Sequence, residues 1–96
     1  MSEKEIEKLE AELKRLDKIV DKIVKTQDRI ASIKEEVLRV RSRLSKEDRL
    51  RIATMLEVVN IILHEAIDII GEVGEEIQME IDCLKHGDEW EDDEEW

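Results

Sequence analysis

The chain has 96 residues, of which 45% are charged and 41% hydrophobic, and its two aromatic residues are both Trp. Because Pro, Phe and Tyr are absent, a β-sandwich or β-barrel would lack its turn and strand residues, so the composition favours a single all-α domain. The longest uncharged run in the apolar region, residues 58–64, is far shorter than the roughly 18 residues of a membrane span, which predicts no membrane contact.

The N-terminal residues lack the apolar segment of a signal peptide, and a single Cys cannot form an internal disulfide. We therefore expect a cytoplasmic, reduced protein. One Asn and two Gln stand beside 16 Lys and Arg and 27 Asp and Glu. Few amides among many charged residues is typical of thermophile proteins, and equally of long coiled coils.

A first helix is predicted over about residues 3–43. Ser2 and Glu5 have the spacing of a capping box at its start. Apolar residues then alternate at spacings of three and four, as in a coiled coil: Ile6, Leu9, Leu13, Leu16, Val20, Ile23 and Ile30. The pattern is interrupted at Gln27 and resumes one residue out of phase, with Ile33, Val37, Val40 and Leu44. This predicts a register shift near Gln27, as in a globular bundle.

A turn is predicted at about residues 44–46, where Ser45 is a candidate N-cap for a second helix over about residues 46–86. Of the 21 residues 50–70, 14 are apolar, more than one helix partner can cover. Five apolar residues are expected to pack on helix 1: Leu56, Val59, Leu63, Ile70 and Val73. Four others have no partner inside a hairpin, namely Met55, Val58, Ile62 and Ile69. The sequence therefore predicts an antiparallel two-helix hairpin that forms a homodimeric four-helix bundle.

Glycines and acidic residues shape the second half of helix 2. Gly71 and Gly74 indicate a possible kink, although the apolar phase continues past them. Gly87 is a candidate helix end, and residues 88–96 contain seven carboxylates. We expect these residues to form a disordered acidic tail. Trp and acidic residues together suit a basic protein surface, so the candidate contacts are Trp90, Asp92, Asp93 and Trp96.

The charge is distributed unevenly along the chain. Residues 1–44 hold 12 basic and 10 acidic side chains, whereas residues 45–87 hold 4 and 10. Six basic residues flank the predicted turn and are candidate phosphate contacts: Arg39, Arg41, Arg43, Lys46, Arg49 and Arg51. We call this set the basic turn. The acidic remainder of the chain opposes general binding of nucleic acid, while a local contact at the turn stays possible.

Polar residues on helix 2 give no clear reaction centre. Glu57, His64 and Asp68 share a face with spacing that could hold a metal, but a solvated stripe explains the same spacing. Cys83 is expected to be a half-buried, unreactive side chain. No nucleotide-binding glycine loop or Cys/His cluster is present, so we expect no enzyme activity, no metal and no cofactor.

The preferred function is a dimeric, non-enzymatic adaptor for protein–protein interaction, whose acidic tail binds a basic partner surface. Two alternatives remain: a nucleic-acid-binding regulator that uses the basic turn, and an acidic mimic that inhibits a nucleic-acid-binding protein. In general architecture the expected bundle resembles the small helical-hairpin dimers encoded by plasmids and viruses, although no sequence motif carries that resemblance.

Overall fold

The computed structural model describes the backbone of residues 2–94 and the side chains of residues 3–86. Two helices account for nearly all of this backbone: α1, Ser2–Arg39, and α2, Lys46–Glu94. No strand occurs in residues 2–94, and the two helices pack against each other. The all-α helical hairpin predicted from the sequence is confirmed. Within the described residues, neither helix has a stretch long and apolar enough to cross a membrane.

The connection between the helices is longer than expected. α1 ends at Arg39 instead of residue 43, and the link covers residues 40–45. The last helical bond runs from the Val40 amide to the Glu36 carbonyl at 2.8 Å, after which the Ser42 hydroxyl accepts from the Leu44 amide at 3.2 Å. The Ser42 side chain thus replaces a helical carbonyl as the acceptor for the Leu44 amide, which explains why α1 ends earlier than expected.

Ser45 caps α2, as the sequence predicted. Its Oγ accepts a hydrogen bond from the Asp48 amide at 3.1 Å, and its carbonyl accepts from the Arg49 amide at 3.0 Å. These are the side-chain and backbone contacts of an N-cap. Glu47 and Asp48 then occupy the first turn, where carboxylates interact favourably with the helix dipole.

The C-terminal part of α2 differs from the expected helix end. The helix runs to Glu94, past Gly87, where the sequence placed its end. Side chains from residue 87 onward lie outside the described residues. The predicted tail contacts Trp90, Asp92, Asp93 and Trp96 fall there, and they stay predictions.

Residues 1–19 and 69–96 form one packing unit. Ile77 and Ile81 are its buried residues among the described side chains, and Ile81 is 1% exposed. Leu13 approaches Gly74, and the Lys85 ammonium lies 4.0 Å from the Glu10 carboxylate. Low residue numbers of α1 therefore meet high numbers of α2, which is antiparallel packing.

Gly71 and Gly74 lie in this unit and do not interrupt α2. Neither has a positive φ. A Cβ added at Gly74 would meet Leu13 Cδ2 at 3.7 Å, an ordinary contact, and one at Gly71 would meet nothing within 4 Å. Neither close packing nor backbone conformation requires glycine at these positions.

Residues 20–68 form the second packing unit. Ala53 is its one buried side chain, and the remaining contact positions are half-buried: Val20, Ile23, Gln27, Ile30, Lys34 and Val37 on α1, and Ile52, Leu56, Asn60, Leu63 and Ile67 on α2. The α1 positions alternate at spacings of three and four without a break. The predicted register shift is therefore wrong: Gln27 and Lys34 occupy the contact row, and Ile33 is exposed.

We expect Gly71→Ala and Gly74→Ala each to raise the free energy of unfolding by about 0.5–1 kcal/mol, because alanine loses less backbone entropy in a helix. Urea unfolding at one fixed protein concentration measures the change. A loss of stability in either variant would show that α2 needs a glycine hinge.

Candidate interaction surfaces

Two amide side chains meet between the helices of the second unit. Gln27 Nε2 donates to the Asn60 carbonyl at 3.1 Å, and Asn60 Nδ2 donates to the Gln27 carbonyl at 3.2 Å. Both residues are half-buried, and each crosses to the backbone of the opposite helix. The pair therefore fixes which residue of α1 lies beside which residue of α2.

This pair leaves one acceptor unused. Asn60 Oδ1 is buried and has no hydrogen-bond partner among the described residues. Rotating the amide would place Oδ1 against the Gln27 carbonyl, so the observed orientation is the favourable one. The interpretation from sequence placed an interruption at Gln27 and did not single out Asn60. The signal it missed is that both residues continue a contact row.

Large apolar side chains of α2 lie uncovered in the second unit. Met55 is 67% exposed and Ile62 is 58% exposed, and Val58 and Val59 are exposed as well. In the first unit Ile69 is 62% exposed. The four residues predicted to lack a partner inside the hairpin, Met55, Val58, Ile62 and Ile69, are thus exposed in the single chain. Whether they form a dimer interface stays a prediction.

The uncovered residues of the second unit follow a regular row. Met55, Val59, Ile62 and the half-buried Ala66 are separated by four, three and four residues, which is the spacing of a helix–helix contact. We call them the exposed row. At 3.6 residues per turn, this row lies about 100° around α2 from the residues that contact α1. Val59, which the sequence assigned to the α1 contact, belongs here.

The exposed row lies on the same side of the unit as Ile33 of α1. Ala31 lines a groove together with Ile61 and His64, so those flanks of α1 and α2 lie on one side. Ile33 is on the other flank of α1, and Met55 and Ile62 are on the other flank of α2. These three therefore face one common side.

The groove on the opposite side combines apolar and charged residues. It has a volume of about 470 Å³ and is lined by Ala31, Lys34, Glu57, Asn60, Ile61, His64 and Glu65. The Lys34 ammonium lies 3.6 Å from the Glu57 carboxylate, and His64 Nε2 lies 4.0 Å from Asp68 Oδ2. No group of three or more metal-binding side chains occurs among the described residues. His64 and Asp68 form an exposed pair one helical turn apart.

The basic turn is exposed, except for the half-buried Arg49, and only partly neutralised. The Arg39 guanidinium lies 3.9 Å from the Glu35 carboxylate, and Arg49 Nε donates to the Leu44 carbonyl at 3.2 Å. Within the described part of the chain, Arg41, Arg43, Lys46 and Arg51 form no ion pair. These four are available to an anionic group.

Cys83 was expected to be half-buried, and that prediction is wrong. The residue is a free, exposed cysteine on α2. It lies two residues after the buried Ile81, which is a rotation of about 200° around the helix and places it on the outer side.

Comparisons with known proteins identify no family. The chain matches no protein-family model, and no curated protein or solved structure matches it either.

We expect Asn60→Leu to stabilise the protein by about 1 kcal/mol, because removing the buried acceptor that has no partner outweighs the loss of the Nδ2 hydrogen bond to the Gln27 carbonyl. Urea unfolding at a fixed protein concentration provides the measurement, with Gln27→Leu/Asn60→Leu as the companion variant. A destabilised Asn60→Leu protein would indicate that Oδ1 has a partner, such as a bound water.

Proposed function

We propose that this protein is a non-enzymatic protein–protein interaction module and that the hairpin first pairs with a second copy, giving a homodimeric four-helix bundle. The observation that carries the proposal is the exposed row, Met55, Val59, Ile62 and Ala66, beside Ile33 of α1. Large apolar side chains gathered on one side are typical of an association surface.

The hairpin alone buries little. Among residues 3–86, only Ala53, Ile77 and Ile81 are buried. Full burial of one large apolar side chain contributes about 1.5–3 kcal/mol, so covering Met55 and Ile62 would stabilise the folded chain substantially. Association itself costs several kcal/mol, which burial of these apolar side chains in both copies can offset.

A second copy suits this surface because of its spacing. A helix in a four-helix bundle contacts neighbours on two sides, and α2 has two contact rows about 100° apart. One row already packs on α1. In a dimer with two-fold symmetry, the exposed row of one chain contacts the exposed row of the other, so the same residues form both halves of the interface.

The acidic tail provides the second part of the proposed function. Its carboxylates and two Trp suit a basic partner surface, as the sequence analysis argued. These residues, Trp90, Asp92, Asp93 and Trp96, lie outside the described side chains. Pull-down by full-length protein and by protein lacking residues 88–96 tests whether they bind the partner.

We expect Ile62→Glu to dissociate the dimer, because it places a carboxylate in the apolar contact. The matched control is Ile61→Glu: Ile61 has nearly the same exposure, 56% against 58%, but lines the groove on the opposite side of the unit. Sedimentation equilibrium at micromolar concentrations gives the association state, and circular dichroism checks helicity. A monomeric parent protein, or equal effects of the two variants, would contradict the proposal.

A second candidate function is binding of nucleic acid through the basic turn. The supporting observation is that Arg41, Arg43, Lys46 and Arg51 have no ion-pair partner among the described residues. Such side chains can contact phosphates, although the net charge of −11 opposes approach.

Under this second candidate, deleting residues 88–96 should increase affinity for a short DNA duplex at low salt, because seven carboxylates are removed. Arg41→Glu/Arg43→Glu should abolish the binding, whereas Lys8→Glu/Lys18→Glu, with the same charge change on α1, should weaken it far less. Fluorescence anisotropy across a salt series measures both effects. Equal losses in the two double variants would exclude a local site at the turn.

A further inference from the structure

Resting on the proposed self-association, we propose that the two copies pair with α2 antiparallel to α2, so that Arg51 of one chain faces Glu65 of the other. The positions of these two opposite charges in the second packing unit favour this arrangement of the interface.

Arg51 and Glu65 lie at the two ends of the uncovered apolar region. They are 14 residues apart, which is two seven-residue repeats, so they share one edge of α2. Val58 is the midpoint of this edge, seven residues from each. Both charged residues are exposed, and neither forms an ion pair within the described part of the chain.

An antiparallel pairing about Val58 joins opposite charges twice. Arg51 meets the partner's Glu65, and Glu65 meets the partner's Arg51. The apolar residues between them then meet: Met55 lies level with the partner's position 61, one residue from Ile62, and Val58 meets the partner's Val58. A parallel pairing of the two α2 helices would instead keep Arg51 and the partner's Glu65 about 21 Å apart along the helix axis, so neither ion pair could form.

The choice of α2 against α2 follows from the distribution of exposed apolar groups. On the apolar side, α2 contributes Met55, Val59 and Ile62, whereas within α1 the corresponding exposed residue of this unit is Ile33. Antiparallel hairpins place α2 on α2 and so match the more apolar helix with itself. The alternative, with α2 resting on the partner's α1, leaves Arg51 and Glu65 apart.

Charge reversal tests the pairing. We expect Arg51→Glu and Glu65→Arg each to raise the dimer dissociation constant about tenfold, because each replaces two attractive contacts with two repulsive ones. The double variant Arg51→Glu/Glu65→Arg should restore the parent constant, since both pairs re-form with their signs exchanged. Lys25→Glu, the same kind of charge change on the outer side of α1, should leave the constant unchanged.

Sedimentation equilibrium at low salt gives these constants, and adding salt should shrink the single-variant effects. A dimer in which the double variant shows no rescue would overturn the antiparallel pairing while leaving the proposed dimer intact. A monomeric parent protein would overturn both.

A distance measurement gives an independent answer. A spin label at Glu47→Cys, in a Cys83→Ser background, lies 11 residues from Val58 along α2. In the antiparallel dimer the two labels are separated by about 22 residues, or roughly 33 Å at 1.5 Å per residue. A parallel dimer holds them within about 20 Å. Pulsed electron paramagnetic resonance separates these cases, and a short distance would contradict the inference.

Discussion

The rest of the structure depends on one constraint, which is that α2 has two apolar sides and α1 can cover one of them. In the second packing unit one row of α2 faces α1, and the exposed row lies about 100° away without cover. α1 cannot contact both rows, because a single straight helix covers one side of its neighbour. A hairpin with this sequence consequently satisfies the hydrogen bonds of its backbone while leaving part of its apolar surface in water.

Within the hairpin, a pair of polar residues specifies the alignment of α1 with α2, which the apolar contacts leave undefined. Leu, Ile and Val rows at spacings of three and four can slide by one repeat at little cost, since each layer resembles the next. Gln27 and Asn60 remove that freedom, because their reciprocal hydrogen bonds form in a single alignment of α1 and α2. The unpartnered Asn60 Oδ1 is the energetic cost of this specificity.

The sequence was sufficient to predict the two helices and the uncovered side of α2, but it was insufficient to predict which residues of α1 contact α2. Periodicity and the Ser45 cap predicted two helices and the start of the second, because both signals are local. Gln27 and Lys34 were misread for a physical reason. A polar residue in a contact row is recognisable only when its partner on the other helix is known, and pairing between helices is not encoded in local spacing. The exposed position of Cys83 was missed because the residue was judged by its type, whereas its helical phase relative to the buried Ile81 places it on the outer side.

Self-association also changes what the basic turn can do. With two α2 helices antiparallel about Val58, the two copies of Lys46 lie about 24 residues apart along the helices, or roughly 36 Å. The dimer then presents one cluster of unpaired cations at each end instead of two clusters together. A ligand long enough to reach both ends would gain effective concentration at the second site, whereas a short anionic ligand would not. The affinity for an anionic ligand should therefore increase once the ligand is long enough to span the dimer, which connects the apolar interface to the charge of the turn. An adaptor and a phosphate-binding protein would then use the same dimeric arrangement.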